Sequence, residues 1–246
     1  MSAIIKTEAV VLTKMDYGDT SKIVSLYSKD FGKFSAIIKG ARSPKSKIGM
    51  AVDPLNHIQV VFYKKDTREL QIISSADLIN HFTAIKEDLD KLKYSQAILE
   101  LLKNLTVEHE VNERLFKGVI RILTLINSNS ELPVILFGRF FIFFLSELGY
   151  ELQLEKCSVC GRTNLENMEL SHNFELGILC CDCRQSHIEF FSIKPELFSC
   201  LCCLKNNKKI ELTNMAAAEK AITFLERYLK FHIPDFKGIQ SFQIFK

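Results

Sequence analysis

The stretch that runs from Cys157-Ser-Val-Cys160-Gly161 to Cys180-Cys-Asp-Cys183 contains two Cys-x-x-Cys pairs separated by nineteen residues. Zinc prefers four tetrahedral ligands, and two Cys-x-x-Cys turns each present two sulfurs to one ion. Gly161 follows the first pair, as a tight metal-binding turn requires. The spacing therefore predicts one structural Zn²⁺ bound by Cys157, Cys160, Cys180 and Cys183.

A second pairing of cysteines also fits a zinc ribbon, since Cys200-Leu-Cys-Cys203 follows Cys183 after sixteen residues. We favour the first pairing, because residues 194–204 are typical of a helix with Pro195 in its first turn. Thiols on such a helix are expected to be buried packing residues. Burial as small hydrophobic side chains is also the alternative to metal binding for all eight cysteines. The thiols concerned are Cys200, Cys202 and Cys203. The side chains that could replace a zinc ligand are Cys181, His172 and His187.

Four protein thiolates leave no open position for water, so such a metal would hold the fold and would not catalyse. The residues His187-Ile-Glu189 with Cys200 and Cys203 are faintly similar to a zinc deaminase, but the Pro before the cysteines is absent. A Walker-type phosphate loop and a His-Glu-x-x-His motif are absent as well. The sequence therefore favours a binding protein over an enzyme.

The 246 residues are 47% hydrophobic, which is enough for a large core in one large domain or two small ones. No charged-then-apolar leader precedes residue 4, and the cysteines pair as metal ligands, so we expect a reducing, cytoplasmic location. The most apolar run, residues 132–145, is interrupted by Gly138 and Arg139. Because this run falls short of the roughly 20 residues that span a bilayer, we expect no membrane contact.

The positive charge of the chain is concentrated in its first third. Residues 1–80 carry twelve Lys and Arg against eight Asp and Glu, whereas the remainder carries twenty against twenty-one. No acidic residue lies between Asp30 and Asp53, where five basic residues fall. This pattern is expected of a surface that faces phosphates, and a solvated loop is the alternative.

Short β-rich runs broken by turn residues occupy the same third of the chain. The predicted strands are residues 4–13, 21–28, 34–39, 57–64 and 69–76. Five strands with a longer connection after the third suit an OB-fold, with an SH3-like barrel as the alternative. The predicted fold class is α+β, with a five-stranded OB-fold barrel in residues 1–80. An α-helical domain follows in residues 81–246 and carries the four-cysteine zinc-binding insertion at about residues 152–190.

An oligonucleotide on an OB-fold crosses the face of strands two and three and is held by the first-to-second and fourth-to-fifth loops. Lys14 and Lys22 flank the first of these loops. The predicted DNA contacts are Lys39, Arg42, Lys45, Lys47, Lys64, Lys65 and Arg68. Bases could stack on Tyr17, Tyr27, Phe34 or Tyr63, although most of these rings are expected in the core.

After His81 the apolar residues recur at steps of three and four, which predicts two amphipathic helices over residues 85–105 and 111–126. Residues 133–148 are apolar all round and stop at Gly149, so they predict the central helix of a bundle. Residues 194–204 and 216–231 are expected to return to that bundle. Asn214 is the expected cap of the last helix.

These residues together resemble the bacterial RecO recombination mediator family over nearly the whole chain. Residues 17–24 are similar to the family's first turn and second strand, residues 31–33 to its next hairpin, and residues 39–46 to its basic signature. Residues 177–183 resemble its zinc segment and residues 228–241 its C-terminal end. The order and spacing of these motifs, more than any one of them, make the resemblance specific.

The resemblance implies an N-terminal OB-fold, a helical domain and a zinc-bearing insertion. It also implies a protein that binds single- and double-stranded DNA, anneals complementary strands and, with RecR, helps RecA displace single-strand binding protein. The family docks the C-terminal tail of single-strand binding protein on its helical domain. Lys39 and Arg42 match the family's basic signature, whereas Ser43-Pro44 stand where a second Arg often follows. An RNA-binding or transcription-associated protein with an OB-fold and a zinc ribbon is the alternative.

Overall fold

The structure of the protein is a computed structural model that describes residues 3–129, 131–166, 168–184, 190–210 and 215–244. The chain forms two compact units. The first unit comprises Met1–Ser130 with Ile239–Lys246, and the second unit comprises Glu131–Gly238. In the described part of the chain, no helix combines the length and the apolar character needed to cross a bilayer.

Five strands of the first unit close into a barrel. They are β1 (Ala3–Tyr17), β2 (Ser21–Ser28), β3 (Gly32–Ile38), β4 (His57–Lys64) and β5 (Leu70–Asn80). The strands follow one another in the order β1-β2-β3-β5-β4, and β4 pairs with β1. The β3–β5 pair is parallel and the other pairs are antiparallel. This Greek-key barrel confirms the predicted OB-fold in place of the SH3-like alternative.

Two of the strands extend beyond their predicted ends. β1 continues past residue 13 to Tyr17, and β5 continues past residue 76 to Asn80. The extensions carry four exposed apolar side chains, namely Met15, Tyr17, Leu78 and Ile79. A shift of register between Val11 and Thr13 lets β1 bend and continue into its hairpin with β2.

Alternate residues of the strands fill the barrel, because successive side chains point to opposite faces of a sheet. On β3, Phe34, Ala36 and Ile38 are buried and the residues between them are half exposed. Phe34 stacks on Phe62 with 4.8 Å between the ring centroids, and Phe31 meets the same ring edge-on at 5.5 Å. Each such pair adds about 0.5–1.5 kcal/mol beyond the burial of its rings.

The connection between β3 and β4, residues 39–56, has a fixed backbone of its own. Ser46 caps the short helix α1 (Lys47–Ala51), where its hydroxyl accepts a hydrogen bond of 3.1 Å from the N–H of Gly49. Gly49 packs so closely that a Cβ there would lie 2.1 Å from the carbonyl oxygen of Ala41. The connection therefore folds on itself and presents its side chains from a defined position.

The turn between β2 and β3 packs against the connection between α3 (Leu89–Leu105) and α4 (Glu113–Asn127) of the first unit. A short helix, α2 (Thr83–Lys86), precedes α3. The N–H of His109 donates to the carbonyl of Lys33 at 2.9 Å, and Lys33 Nζ donates to the carbonyl of Lys103 at 2.7 Å. Gly32 has a φ of +61°, and a Cβ on it would lie 2.0 Å from the carbonyl oxygen of Glu110. This turn requires glycine both for its conformation and for its close approach.

Among its described residues, the second unit contains three α-helices and a small sheet. Its elements are α5 (Pro133–Glu147), β6 (Leu170–Asn173), β7 (Gly177–Cys180), β8 (Phe191–Ile193), α6 (Pro195–Lys205) and α7 (Met215–His232). The strand order of the sheet is β7-β6-β8. Helix α5 is buried on most of its surface and packs against α6 and α7, as expected of a helix with no polar face.

The predicted helices are present, but they are distributed over both units. The two amphipathic helices correspond to α3 and α4 and belong to the first unit, so the bundle around α5 is formed by α6 and α7. A short helix, α8 (Ser241–Ile244), returns to the first unit, where Ser241 donates from its N–H and hydroxyl to Glu100. The division into domains at residue 80 stays a prediction. Asn214 and His187 lie outside the described residues.

Candidate metal centre and nucleic-acid interface

Four cysteines come together in the second unit. The Sγ atoms of Cys157, Cys160, Cys180 and Cys183 all lie within 4.8 Å of one another. Tetrahedral zinc with Zn–S bonds of about 2.3 Å requires sulfurs about 3.8 Å apart. The Sγ atoms of Cys160 and Cys180 are 3.7 Å apart. The four side chains that the spacing singled out therefore fit one tetrahedral ion.

A tight turn presents the first pair of thiols. The N–H of Gly161 donates to the carbonyl of Cys157 at 2.9 Å, and the N–H of Cys157 donates to the carbonyl of Arg162 at 2.8 Å. Gly161 has a φ of +74°, which glycine adopts without steric cost. The N–H of Ser158 donates to the carbonyl of Ile178 at 2.8 Å and so joins the turn to β7. The first pair is thereby held beside the strand that leads into the second pair.

The second pair of thiols follows directly from β7. Cys180 ends that strand opposite Leu170 of β6, and a 3-10 turn formed by Cys181–Cys183 follows. The N–H of Cys180 donates to the Sγ of Cys157 at 3.4 Å, which is the kind of contact that supports a metal-bound thiolate. Arg162 and Asp182 form an ion pair of 2.7 Å between the two turns. The two pairs thus hold each other in place through backbone and side chain.

The four thiols influence one another's ionisation. Burial raises the pKa of Cys157, but the N–H groups of Cys160, Cys180 and Val159 donate to its sulfur and lower the pKa to about 6. The pKa of Cys183 is raised to about 12, because its contacts with the sulfurs of Cys160 and Cys180 favour the protonated thiol. One thiolate forms readily, whereas burial of Cys180 and the contacts of Cys183 with neighbouring sulfurs raise the pKa of these two thiols. A bound cation would deprotonate its thiol ligands.

The three cysteines of α6 are not members of this cluster. Cys200 is buried, as predicted, but the prediction of burial is wrong for Cys202 and Cys203, which are half buried. The helical period explains the difference, because Leu197, Cys200, Leu201 and Leu204 occupy the buried side of α6. Burial raises the pKa of Cys200 and of Cys202 to about 11.

Two of the candidate substitute ligands lie outside the cluster as well. Cys181 is exposed and its sulfur is 3.6 Å from Asp182 Oδ1. His172 is only 2% exposed and packs among aromatic rings, with 5.1 Å between its ring centroid and that of Phe224. Burial lowers the pKa of His172 to about 4, and the nearby His232 contributes to that shift. His172 is therefore a neutral packing residue.

Four of the seven predicted DNA contacts lie on the β3–β4 connection, namely Lys39, Arg42, Lys45 and Lys47, and their side chains are at least partly exposed. Arg42 also holds the β1–β2 turn. Its N–H donates to the carbonyl of Thr20 at 3.0 Å, and its guanidinium donates to the carbonyl of Gly18 and lies 3.4 Å from Asp16 Oδ2. Arg42 thus fastens the turn to the basic connection in addition to supplying charge.

The other three predicted contacts, Lys64, Lys65 and Arg68, lie at the β4–β5 turn. Because Ser35 pairs with Leu70 in the parallel β3–β5 ladder, this turn lies beside the beginning of β3. Lys64 Nζ is 5.6 Å from the ring centroid of Phe31, just before β3. The β3–β4 connection follows the end of the same strand. The seven residues therefore form two basic groups at opposite ends of β3 and do not form one continuous patch.

Two of the four aromatic rings predicted to stack on bases are exposed, and two are buried. Tyr27 and Phe34 are each 1% exposed and belong to the packing of the first unit. Tyr17 and Tyr63 are 53% and 39% exposed. These two rings therefore stay candidates for contact with bases, whereas the two buried rings do not.

An outward-facing apolar row crosses all five strands and reaches β3 between the two basic groups. The strand register makes each member of the row the cross-strand partner of the next member. The apolar row consists of Met15, Ile23, Ile37, Ile72, Tyr63 and Ile4. Paired residues point to the same face of a sheet. The members at its two ends are the most exposed, with Met15 at 60% and Ile4 at 69%.

The sequence contains a signal for this row that the strand predictions did not use. The central strands carry the adjacent apolar pairs Ile23-Val24, Ile37-Ile38 and Ile72-Ile73. Successive side chains of a strand face opposite sides, so one member of each pair must face outward. Identifying which member does so requires the register of the barrel.

Fold and site define a class of protein in which an OB-fold barrel with exposed cations is followed along the chain by a four-cysteine metal-binding segment. Residues 1–82 match the family model described as Recombination protein O N terminal. Residues 86–238 match the model described as Recombination protein O C terminal. Both parts of the architecture thus fall within one family description.

Individual relatives agree with these matches. The chain is 28% identical to DNA repair protein RecO of Chloroherpeton thalassium, over 98% of this chain and 97% of that protein. It is 35% identical to DNA repair protein RecO of Alkaliphilus metalliredigens, over 78% and 76% of the two chains. It is 31% identical to DNA repair protein RecO of a Thermoanaerobacter species, over 78% and 75%. The chain belongs to the RecO family, which confirms the resemblance seen in the sequence.

Proposed function

We propose that this chain is a DNA repair and recombination mediator of the bacterial cytoplasm. It binds single- and double-stranded DNA, anneals complementary strands and, with RecR, helps load RecA onto DNA covered by single-strand binding protein. It makes and breaks no covalent bond. The observation that carries the proposal is the match of both halves of the chain to the RecO family, whose relatives bear the name DNA repair protein.

The two basic groups of the barrel support a contact with DNA phosphates. Lys39, Lys45 and Lys47 extend from a connection whose backbone is fixed by the cap of α1 and by the close packing of Gly49. Lysines on a fixed backbone lose less freedom on binding than lysines on a mobile loop. Phosphate contacts of this kind give affinity without sequence preference, as an annealing protein requires.

Salt-titrated binding of a labelled oligonucleotide tests this site. If about four side chains contact a single strand, log affinity falls against log salt with a slope of about −3. Lys39→Ala and Lys45→Ala should each flatten that slope by about 0.7 and weaken all sequences alike. Arg42 is left in place, because its loss would also release the β1–β2 turn. Lys220→Ala, at an exposed position on α7, serves as the matched control.

Two results would count against the proposal. An unchanged slope for the double variant at Lys39 and Lys45 would place the DNA on other residues. Tighter binding of RNA than of DNA, together with failure to anneal DNA strands, would favour the RNA-binding alternative.

We also propose that the metal held by the four cysteines is Zn²⁺. Tetrahedral sites of four thiolates take either zinc or iron–sulfur centres. Zinc is favoured by two Cys-x-x-Cys turns that converge on one point, as in zinc ribbons. Cys157, Cys160, Cys180 and Cys183 would all be ligands, so the ion would stabilise the segment without an open position for a substrate.

A further inference from the structure

We propose that the ion pair between Arg162 and Asp182, called the latch below, slows the release of metal from the four-cysteine centre. Neither side chain is a ligand, so both are positioning residues that act through the turns that carry the ligands. This inference rests on the proposed metal binding and concerns the rate at which the centre exchanges its ion.

The four thiols of the centre differ in their access to solvent. Cys157 and Cys180 are buried, whereas Cys160 is exposed and Cys183 is half buried. Water or a chelator therefore reaches the metal from the side of Cys160 and Cys183. Release of the ion should begin with the detachment of one of these two outer sulfurs.

The latch lies next to the two outer sulfurs along the chain. Arg162 follows Cys160 by two residues, and Asp182 immediately precedes Cys183. Arg162 Nη1 is 2.7 Å from Asp182 Oδ2, and the carbonyl of Arg162 accepts a hydrogen bond of 2.8 Å from the N–H of Cys157. The latch therefore joins the two metal-binding turns beside the sulfurs that detach first.

A link of this kind acts after the first sulfur has left the metal. The latch keeps the turn of that sulfur close to the ion, so the sulfur rebinds at a high effective concentration. The turns are also joined on their inner side, where the N–H of Ser158 donates to the carbonyl of Ile178 at 2.8 Å. Loss of the latch should therefore speed release of the metal without unfolding the segment.

The charge of Arg162 supports the same role. A divalent ion bound by four thiolates carries net negative charge, which attracts a nearby cation. The hydrogen bond and charge of Asp182, followed by the charges of Cys180 and Cys160, raise the pKa of Arg162. Arginine stays protonated in proteins, so this attraction does not vary with pH.

Release of Co²⁺ from the purified full-length chain tests the latch. Tetrahedral Co²⁺ bound by thiolates absorbs visible light, so the decay of this absorption after addition of excess EDTA gives the release rate. Arg162→Gln and Asp182→Asn should each release Co²⁺ about threefold faster than the wild type, the size expected for loss of one exposed ion pair. The starting spectrum should be unchanged, because all four ligands remain.

Further variants show whether the two side chains act as a pair. Arg162→Gln combined with Asp182→Asn should release Co²⁺ no faster than either single variant. Arg162→Lys should recover part of the wild-type rate, because it restores a cation without the fork of the guanidinium. Salt at about 1 M should shrink the difference between the wild type and the single variants. Lys230→Gln removes a partly exposed ion pair of α7 in the same unit, and this matched control should keep the wild-type rate.

The second oxygen of Asp182 requires one more control. Cys181 Sγ lies 3.6 Å from Asp182 Oδ1, so Asp182→Asn also changes the surroundings of that thiol. Adding Cys181→Ser to Asp182→Asn should leave the faster release unchanged, because the latch acts through Arg162.

The outcomes separate this inference from the proposed zinc. Wild-type release rates for Arg162→Gln and Asp182→Asn would overturn the latch, and so would a double variant whose acceleration is the product of the two single effects. Return of the wild-type rate on adding Cys181→Ser would assign the effect to that thiol instead. Iron in place of zinc in the purified protein would contradict the zinc assignment, while the Co²⁺ release rates would still decide the latch.

Discussion

Gly32 lies where the barrel packs against the connection between α3 and α4 of the first unit. Its φ of +61° is costly for other residues, and a Cβ would lie 2.0 Å from the carbonyl oxygen of Glu110. We expect Gly32→Ala to lower the free energy of unfolding by about 2–4 kcal/mol, from backbone strain together with overpacking. Urea-induced unfolding of the purified variant measures this change.

Gly18 provides the control for that substitution. It also has a positive φ, of +55°, but nothing lies within 4 Å of a Cβ built on it. Gly18→Ala should therefore cost only the backbone term, about 1 kcal/mol. Equal losses for the two variants would contradict the close approach of Gly32 to the connection between α3 and α4.

The four-cysteine segment should fold as one unit around its metal, because β6 and β7 are too short to bury a core of their own. We expect one zinc per chain, with an apparent binding free energy of about 10–16 kcal/mol at neutral pH. Replacing Cys157 and Cys180 together by Ser should abolish the metal and expose residues 157–183 to protease. Elemental analysis of the purified protein gives the zinc content, and iron in its place would refute the assignment.

Helix α6 provides the matched control for the metal site. Cys200→Ala with Cys203→Ala removes two thiols that lie outside the cluster, so the zinc content should be unchanged. Some stability should be lost, since Cys200 is buried. Release of the metal from this variant would mean that the rival pairing of cysteines is the true one.

The stability that the aromatic packing between β6 and α7 contributes should depend on pH. Burial, and then His232, lower the pKa of His172 to about 4 in the folded protein, against about 6.5 in the unfolded chain. The unfolded chain therefore binds the proton first, so stability is full above about pH 6.5 and falls as the pH drops towards 4. Between pH 7 and pH 5.5 the loss should be about 1 kcal/mol.

His172→Phe should remove that part of the pH dependence. The ring is kept and the titrating group is lost, so the urea midpoints of the variant at pH 7 and pH 5.5 should move closer together. Excess zinc in both buffers keeps the metal site constant. A pH dependence identical to that of the wild type would show that other groups, such as His232, carry it.

Annealing requires the protein to act on two DNA strands at once, so this function is tested with the intact chain. We expect the wild-type protein to accelerate annealing of complementary oligonucleotides, both bare and covered by single-strand binding protein. Raising the salt should slow annealing, because phosphate contacts weaken as counterions compete. Fluorescence quenching on strand pairing follows the rate, and the variant with Lys39→Ala and Lys45→Ala should be slower at every salt concentration. Wild-type rates no faster than protein-free controls would contradict the annealing function.

Local sequence patterns were enough to predict the kinds of element and the metal-binding cysteines. Alternation and three- to four-residue periodicity are local signals, so the five strands and the main helices could be predicted within a few residues. The spacing of Cys157, Cys160, Cys180 and Cys183 is also a local signal, because each pair occupies one turn. The basic residues between Asp30 and Asp53 were identifiable for the same reason.

The arrangement of these strands, helices and side chains depends on long-range strand pairing. The separation of the basic residues into two groups follows from the parallel pairing of β3 with β5. The contact of Arg42 with Gly18, and the alignment of Ile23, Ile37 and Ile72, depend on strand register in the same way. Register joins residues far apart in sequence, and a shift of one residue turns a side chain to the opposite face. It is set by closure of the barrel as a whole, which no local pattern records.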